Sequence, residues 1–135
     1  SIRQFDYLPD KVYVMTVGCE TARAHMAREM LIVLLREHGS RAEVQLVDVP
    51  GDDIKEIGRR VNEIIGSENE RNNEVAVDVT PGTKATVLGT VIGAGKVRVD
   101  HIFYLYIESL QNAARPYMEI PLDIQHSHDL LKEVR

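Results

Sequence analysis

The chain has 135 residues, with 16 lysines and arginines against 21 aspartates and glutamates, a formal net charge of -5 with neutral histidines, and 44% hydrophobic residues, the composition of one soluble globular domain of ordinary size. An acidic chain with a pI near 5.5 offers no basic field for duplex DNA, and no run of about 18 apolar residues is present to cross a bilayer. A single cysteine, Cys19, excludes an intramolecular disulfide and a thiolate zinc site within one chain, so a reducing, cytoplasmic setting is the expectation.

The sequence opens Ser1-Ile2-Arg3 without methionine or an apolar signal segment, which reads as a cloning remnant or as a domain cut from a longer protein. Residues 1–10 are read as a leader or linker and residues 11–135 as one domain. Val12-Tyr13-Val14-Met15-Thr16 is short, β-branched and apolar on both faces, the pattern of a strand covered by helices on each side. From about Glu20 to His38 the spacing of Ala22, Met26, Met30, Val33 and Leu34 predicts a helix that buries this stripe and stops at Gly39. Glu43 to Val49 is a second strand and Pro50-Gly51 a turn. Asp52 or Asp53 then caps a helix with the stripe Ile54, Ile57, Val61, Ile64, Ile65.

Residues 67–73 are polar and turn-forming, and Glu74 to Val79 is a third strand. A helix follows from Thr83 to Ile92, begun beside Pro81 and Gly82 and closed by Gly93-Ala94-Gly95. His101 to Ile107 is a further buried-type strand, with Tyr104 and Tyr106 as packing residues. Tyr117 to Leu122, interrupted by Pro121, suits only an edge strand or extended tail. This alternation predicts an α/β fold, a doubly wound and mainly parallel sheet in a Rossmann-like three-layer sandwich, because parallel neighbours need a crossover.

Ligands of such sheets bind beyond the carboxyl ends of the strands, which singles out two loops. The first, Thr16-Val17-Gly18-Cys19-Glu20-Thr21, leaves the first strand for the first helix. Gly18 permits close backbone approach, the helix start offers unpaired amides to an anion, and Thr16 and Thr21 add hydroxyls. The plainer alternative is that Thr21 or Glu20 caps the helix and Gly18 makes the turn. The G-x-G-x-x-G spacing of a dinucleotide site is absent. The second loop, Asp78-Val79-Thr80-Pro81-Gly82-Thr83-Lys84, places a carboxylate, two hydroxyls, a glycine and a lysine directly after an apolar strand. Gly82 can expose amides to a phosphate, Lys84 supplies charge, and Asp78 can pin the loop, a combination suited to a phosphodiester. A capped helix start with a solvated lysine is its plainer alternative. Gly95-Lys96 fails both diagnostic positions of a Walker A loop.

The strand followed by D-V-T-P-G-T-K at 78–84 closely resembles the D/N-x-T-x-G-x-K/R signature of CARF domains, the CRISPR-associated Rossmann-like sensors of cyclic oligoadenylate, and Thr16-Val17-Gly18 with Cys19, Glu20 and Thr21 is similar to that family's first loop. The resemblance covers most of the chain in element order. It implies a type III CRISPR antiviral role and a homodimer whose paired loops hold a two-fold symmetric ring of adenylates, cyclic tetra-adenylate ahead of hexa-adenylate, with no cofactor and no metal. Carried over by position, Thr80, Gly82, Thr83 and Lys84 would contact ribose-phosphate, and Thr16, Gly18 and Thr21 would line the floor; on its own chemistry Asp78 can pin the loop, and Glu20 could face the ligand and recognise an adenine amino group. Some members of the family also cut the ring. A metal-independent ring nuclease aligns a ribose 2′-hydroxyl with its neighbouring phosphate and leaves 2′,3′-cyclic phosphate ends, with Lys84 as electrostatic catalyst and Thr16 or Thr21 orienting the hydroxyl. A nucleotide-binding Rossmann-like domain unrelated to CRISPR is the third reading.

Other constellations read more simply. His126-Ser127-His128-Asp129 has a spacing able to chelate a metal, but it lies in a polar stretch without a matching ligand cluster and reads as a surface tail. Cys19 lacks the glycines and arginine of a phosphatase loop and reads as a small buried side chain. Arg115-Pro116-Tyr117 could stack on a base or simply decorate an edge, and Met26 and Met30 read as core.

Overall fold

The computed structural model describes residues 5–18, 21–112, 115 and 119–134. The elements in chain order are β1 (Lys11–Thr16), α1 (Ala22–Glu37), β2 (Glu43–Asp48), α2 (Ile54–Glu70), β3 (Ala76–Asp78), α3 (Lys84–Ala94), β4 (His101–Ile107), β5 (Gln125–Asp129) and the single turn α4 (Leu130–Glu133). Cys19, Glu20, Pro116 and Tyr117 lie outside the described residues, so the expectations attached to them are not addressed. The fold is mixed α/β, but its strands form two small sheets rather than one doubly wound sheet. β1 and β2 pair in parallel from Lys11 with Glu43 to Thr16 with Asp48. β3 pairs in parallel with β4, and β4 pairs antiparallel with β5. β3 has only three residues, and the residues flanking it also bond toward β4: Val75 O accepts from Asp100 and His101, and Val79 N–H donates to Phe103 O. No ladder joins β1 to β3 among the described residues.

One core serves both sheets. Val49, Ile57, Val61, Ile65 and Ala94 are buried together, and Met15 and Val47 from the first sheet and Val75, Val77, Val97 and Val99 beside the second pack against them. Helix α2 is thus the shared floor, and its stripe forms as the spacing predicts. Asp53 caps it by accepting the Glu56 N–H at 3.0 Å. The helix runs one turn further than its polar tail suggests. Glu68 is buried because Tyr13 Oη donates to it at 2.6 Å, Asn73 Nδ2 at 2.6 Å and Lys11 Nζ at 3.2 Å; Asn72 in the left-handed region (φ 59°) ends it.

Helix α1 has the expected length but the opposite face. Met26, Met30 and Val33 are 58%, 66% and 55% exposed, whereas Ala24 and Leu35 are buried. The inward line runs through Arg28, whose Nε donates to Val44 O on β2 at 2.9 Å. Its Nη1 donates to Glu29 Oε1 at 2.8 Å, so the guanidinium is shared between the sheet carbonyl and a carboxylate, and an arginine occupies a position that an apolar count assigns to solvent.

The supposed surface tail is strand β5. It escapes an apolar pattern because its inward residues are polar: Gln125 donates to Ile120 O at 2.8 Å, and Asp129 is 2% exposed. Burial pushes the Asp129 carboxyl up, but the His101 hydrogen bond and charge, the Ile102 N–H and Lys132 outweigh it and leave the group below its usual range. Outward, His128 and His126 stack on Tyr104 and Tyr106 at 6.4 and 6.3 Å between ring centroids, so the two tyrosines line an open sheet face rather than the core. Pro121 precedes a short 3-10 turn, Leu122–Ile124, in place of the end of an edge strand.

Candidate ligand-binding rim

Both singled-out loops leave the carboxyl ends of parallel strands. In the first, Gly18 adopts φ +73°, a conformation that a side chain would strain. Its N–H donates to Asp48 Oδ1 at 2.7 Å, its carbonyl accepts from Thr21 N–H at 3.2 Å, and Thr21 Oγ1 caps α1 by accepting the Ala24 N–H at 3.2 Å. Val49 N–H donates to Thr16 O at 2.9 Å, while Thr16 Oγ1 is buried without a hydrogen-bond partner. Asp48 is the loop's anchor, and the sequence reading passed over it. A carboxylate closing a parallel strand immediately before a Val-Pro-Gly turn was the available signal.

The second loop is braced from within. Asp78 Oδ1 accepts the Thr80 N–H at 2.9 Å, and Thr80 Oγ1 accepts the Leu105 N–H of β4 at 2.9 Å. Thr83 caps α3 through the Thr86 N–H at 3.3 Å and shares a hydroxyl hydrogen bond with Thr86 at 2.9 Å. Gly82 has Val87 Cγ2 3.1 Å from where a Cβ would sit, so it is held small by the first turn of the helix. Lys84 opens α3, exposed, with no ion pair to a described residue. Threonine oxygens that accept from the backbone keep a hydroxyl proton to donate, and the first turn of α3 has amides without partners inside the helix. The loop can therefore present hydroxyls, amides and one cation to an anion. Thr80→Val keeps the side-chain shape and leaves the Leu105 N–H without its acceptor. The expected cost is about 1 to 2 kcal/mol, with faster hydrogen exchange at the Leu105 amide as the readout.

The two loops share a foundation, since Met15 of β1 and Val77 of β3 pack against the same core cluster. No hydrogen bond or ion pair links residues 16–18 or 21 to residues 78–84 among the described residues. Three of the five histidines lie away from the loops and face carboxylates: His126 Nε2 is 2.8 Å from Glu108 Oε1, His128 Nδ1 is 2.9 Å from Glu133 Oε1, and His101 lies 2.7 Å from Asp129 Oδ2 and 3.1 Å from Glu74 Oε1. Among the described residues no group of three or more His, Cys, Asp or Glu could hold a metal ion, and no helix is long and apolar enough to cross a membrane. Compared with models of known protein families and with curated proteins, the chain matches none.

Proposed function

We propose that the chain is a CARF-type sensor domain that binds a cyclic oligoadenylate, cyclic tetra-adenylate ahead of hexa-adenylate, in a pocket shared by two copies, within a Rossmann-like arrangement of its strands and helices. The observation that carries this reading is the braced 78–84 loop at the carboxyl end of β3. Asp78 and Thr80 are engaged in holding the loop, which leaves the exposed Lys84 and the Lys84 and Ala85 amides, without partners inside the helix, to meet an anion. In this reading Thr80, Gly82, Thr83 and Lys84 hold ribose-phosphate, and Thr16, Gly18 and Thr21 form the floor, with Glu20 beside the bases. Two loops related by symmetry give a polyanionic ring two lysines and two pairs of helix starts, a local positive field in a chain of net charge -5.

Incubating the protein with cyclic tetra- and hexa-adenylate and separating bound, free and cleaved species tests it. An intact ring that co-elutes with protein is the expected result. Linear products with 2′,3′-cyclic phosphate ends would make the chain a ring nuclease instead, and no retention of either ring would leave the unrelated nucleotide-binding reading.

A further inference from the structure

Helices α2 and α3 cross so closely that Gly89 and Gly93 have no room for a side chain. Over that crossing lies an open groove of about 290 Å³, with Ile54, Gly58 and Gly93 along its floor. Asn62 Nδ2 donates to Gly93 O at 3.3 Å and ties the two walls together. Each wall is regular: Lys55, Arg59 and Asn62 stand at i, i+4 and i+7 along α2, and Leu88, Ile92 and Lys96 at i, i+4 and i+8 along α3 and its C-terminal turn. The groove is lined by three cations and no acidic residue, in a chain where acids outnumber bases by 21 to 16. Lys55 and Lys96 are exposed and in no ion pair with a described residue, while Arg59 is shared with Glu56 and Glu63, which lie outside the lining. Leu88 and Ile92, 52% and 54% exposed, extend the apolar floor up the α3 wall.

We infer that this groove docks an acidic amphipathic helix of a partner protein, its apolar side laid on Ile92 and Leu88 and its carboxylates meeting Lys55, Arg59 and Lys96. Charge decides among the occupants. A second copy of the groove would set like charges against each other. An anionic bilayer would attract the three cations but meet a chain of net charge -5. A nucleic-acid strand would satisfy the cations, yet no aromatic ring lines the groove for its bases to stack on. An acidic helix uses the apolar floor and the basic edges together, and about three of its turns match the roughly 16 Å length of α3. The groove shares no residue with the 78–84 loop, so the inference does not rest on the sensor reading.

The covered area is small and the ion pairs are exposed. The contact is therefore transient and salt-dependent, with a dissociation constant on the order of 10 μM to 1 mM.

NMR titration of the isotope-labelled chain tests this, using a synthetic helix of about 14 residues with leucine at every third or fourth position and glutamate on its flanks. The Leu88 and Ile92 methyl resonances are expected to shift saturably, and less as salt is raised. The same peptide with lysine for glutamate, or with serine for leucine, is expected to leave them in place. Lys55→Glu combined with Lys96→Glu is expected to weaken the acidic peptide by about tenfold or more and to bind the lysine peptide instead, without loss of melting temperature. Ile92→Ser, which keeps the charges, is expected to weaken it by a similar factor, while Met30→Glu on α1 alters neither. An acidic peptide that leaves these resonances unmoved, or binds the doubly reversed chain as tightly, overturns the proposal. A serine peptide that binds as well as the leucine peptide overturns it too, because the groove would then read charge alone. Co-sedimentation with phosphatidylglycerol vesicles without any peptide response would assign the face to a membrane and likewise overturn it.

Discussion

Gly93→Ala is expected to lower the melting temperature by about 10 °C, from a loss of about 3 kcal/mol in a domain of this size. A Cβ at Gly93 would fall inside the van der Waals shell of the Gly58 carbonyl oxygen, with the Gly58 carbonyl carbon and Cα each 3.0 Å away. These are backbone atoms on both sides, so no rotamer change relieves the clash and α2 and α3 must separate. Gly89 is also held small, since its Cβ would lie 2.7 Å from Ile57 Cβ and Cγ2 and 3.0 Å from the Ile54 carbonyl oxygen. Separation strips contacts from Ile57 and Ala94, which belong to the core that both sheets share. Gly66 is the matched control: it lies in α2 with nothing within 4 Å of its added Cβ. Gly66→Ala is expected to stabilise by about 0.5 to 1 kcal/mol through helix propensity alone. Scanning calorimetry of the two variants gives the comparison, and an unchanged melting temperature for Gly93→Ala would contradict the close crossing.

Glu68→Ala is expected to cost about 3 kcal/mol at neutral pH, because it leaves the Lys11, Tyr13 and Asn73 donors without their common acceptor. The hydrogen bonds from Tyr13 and Asn73, then the hydrogen bond and charge of Lys11, hold the Glu68 carboxyl down at about 2 against an ordinary 4.5, overcoming the upward push of burial. Burial, then the Glu68 hydrogen bond, keeps the Tyr13 phenol above its usual range. Since the carboxyl ionises more readily in the folded chain than in the unfolded one, its contribution is complete above pH 4.5 and disappears as the pH falls through about 2. Denaturant unfolding across that window is expected to lose about 3 kcal/mol more in the wild type than in Glu68→Gln. Parallel acid profiles for the two proteins would show that Glu68 is not the group responsible.

The order of elements was legible because the first four strands and the three long helices carry ordinary periodicity and ordinary caps. Thr21, Asp53 and Thr83 each accept an N–H from the first turn of the following helix, and the 78–84 turn announces itself through Asp78 and Thr80. What escaped did so where a polar residue took an apolar position. Arg28 faces the sheet and turns Met26 and Met30 outward; Glu68 carries α2 through a stretch that reads as a turn. Gln125 and Asp129 fill the inward sites of β5, so its pattern is inverted. Whether β1 and β3 would join in one sheet depends on pairing between residues far apart in sequence, and a three-residue β3 bonded to β4 gives no local sign of it. Asp48 was missed for a related reason, since its partner Gly18 lies 30 residues away.

Isothermal titration of cyclic tetra-adenylate into the wild type and Lys84→Ala addresses the central claim most directly. One ring per two chains, with an affinity weakened by about 10- to 100-fold when both lysines of the pair are removed, is the expected result. An absence of binding heat and of any competition by the ring, or binding that Lys84→Ala leaves unaltered, would contradict it.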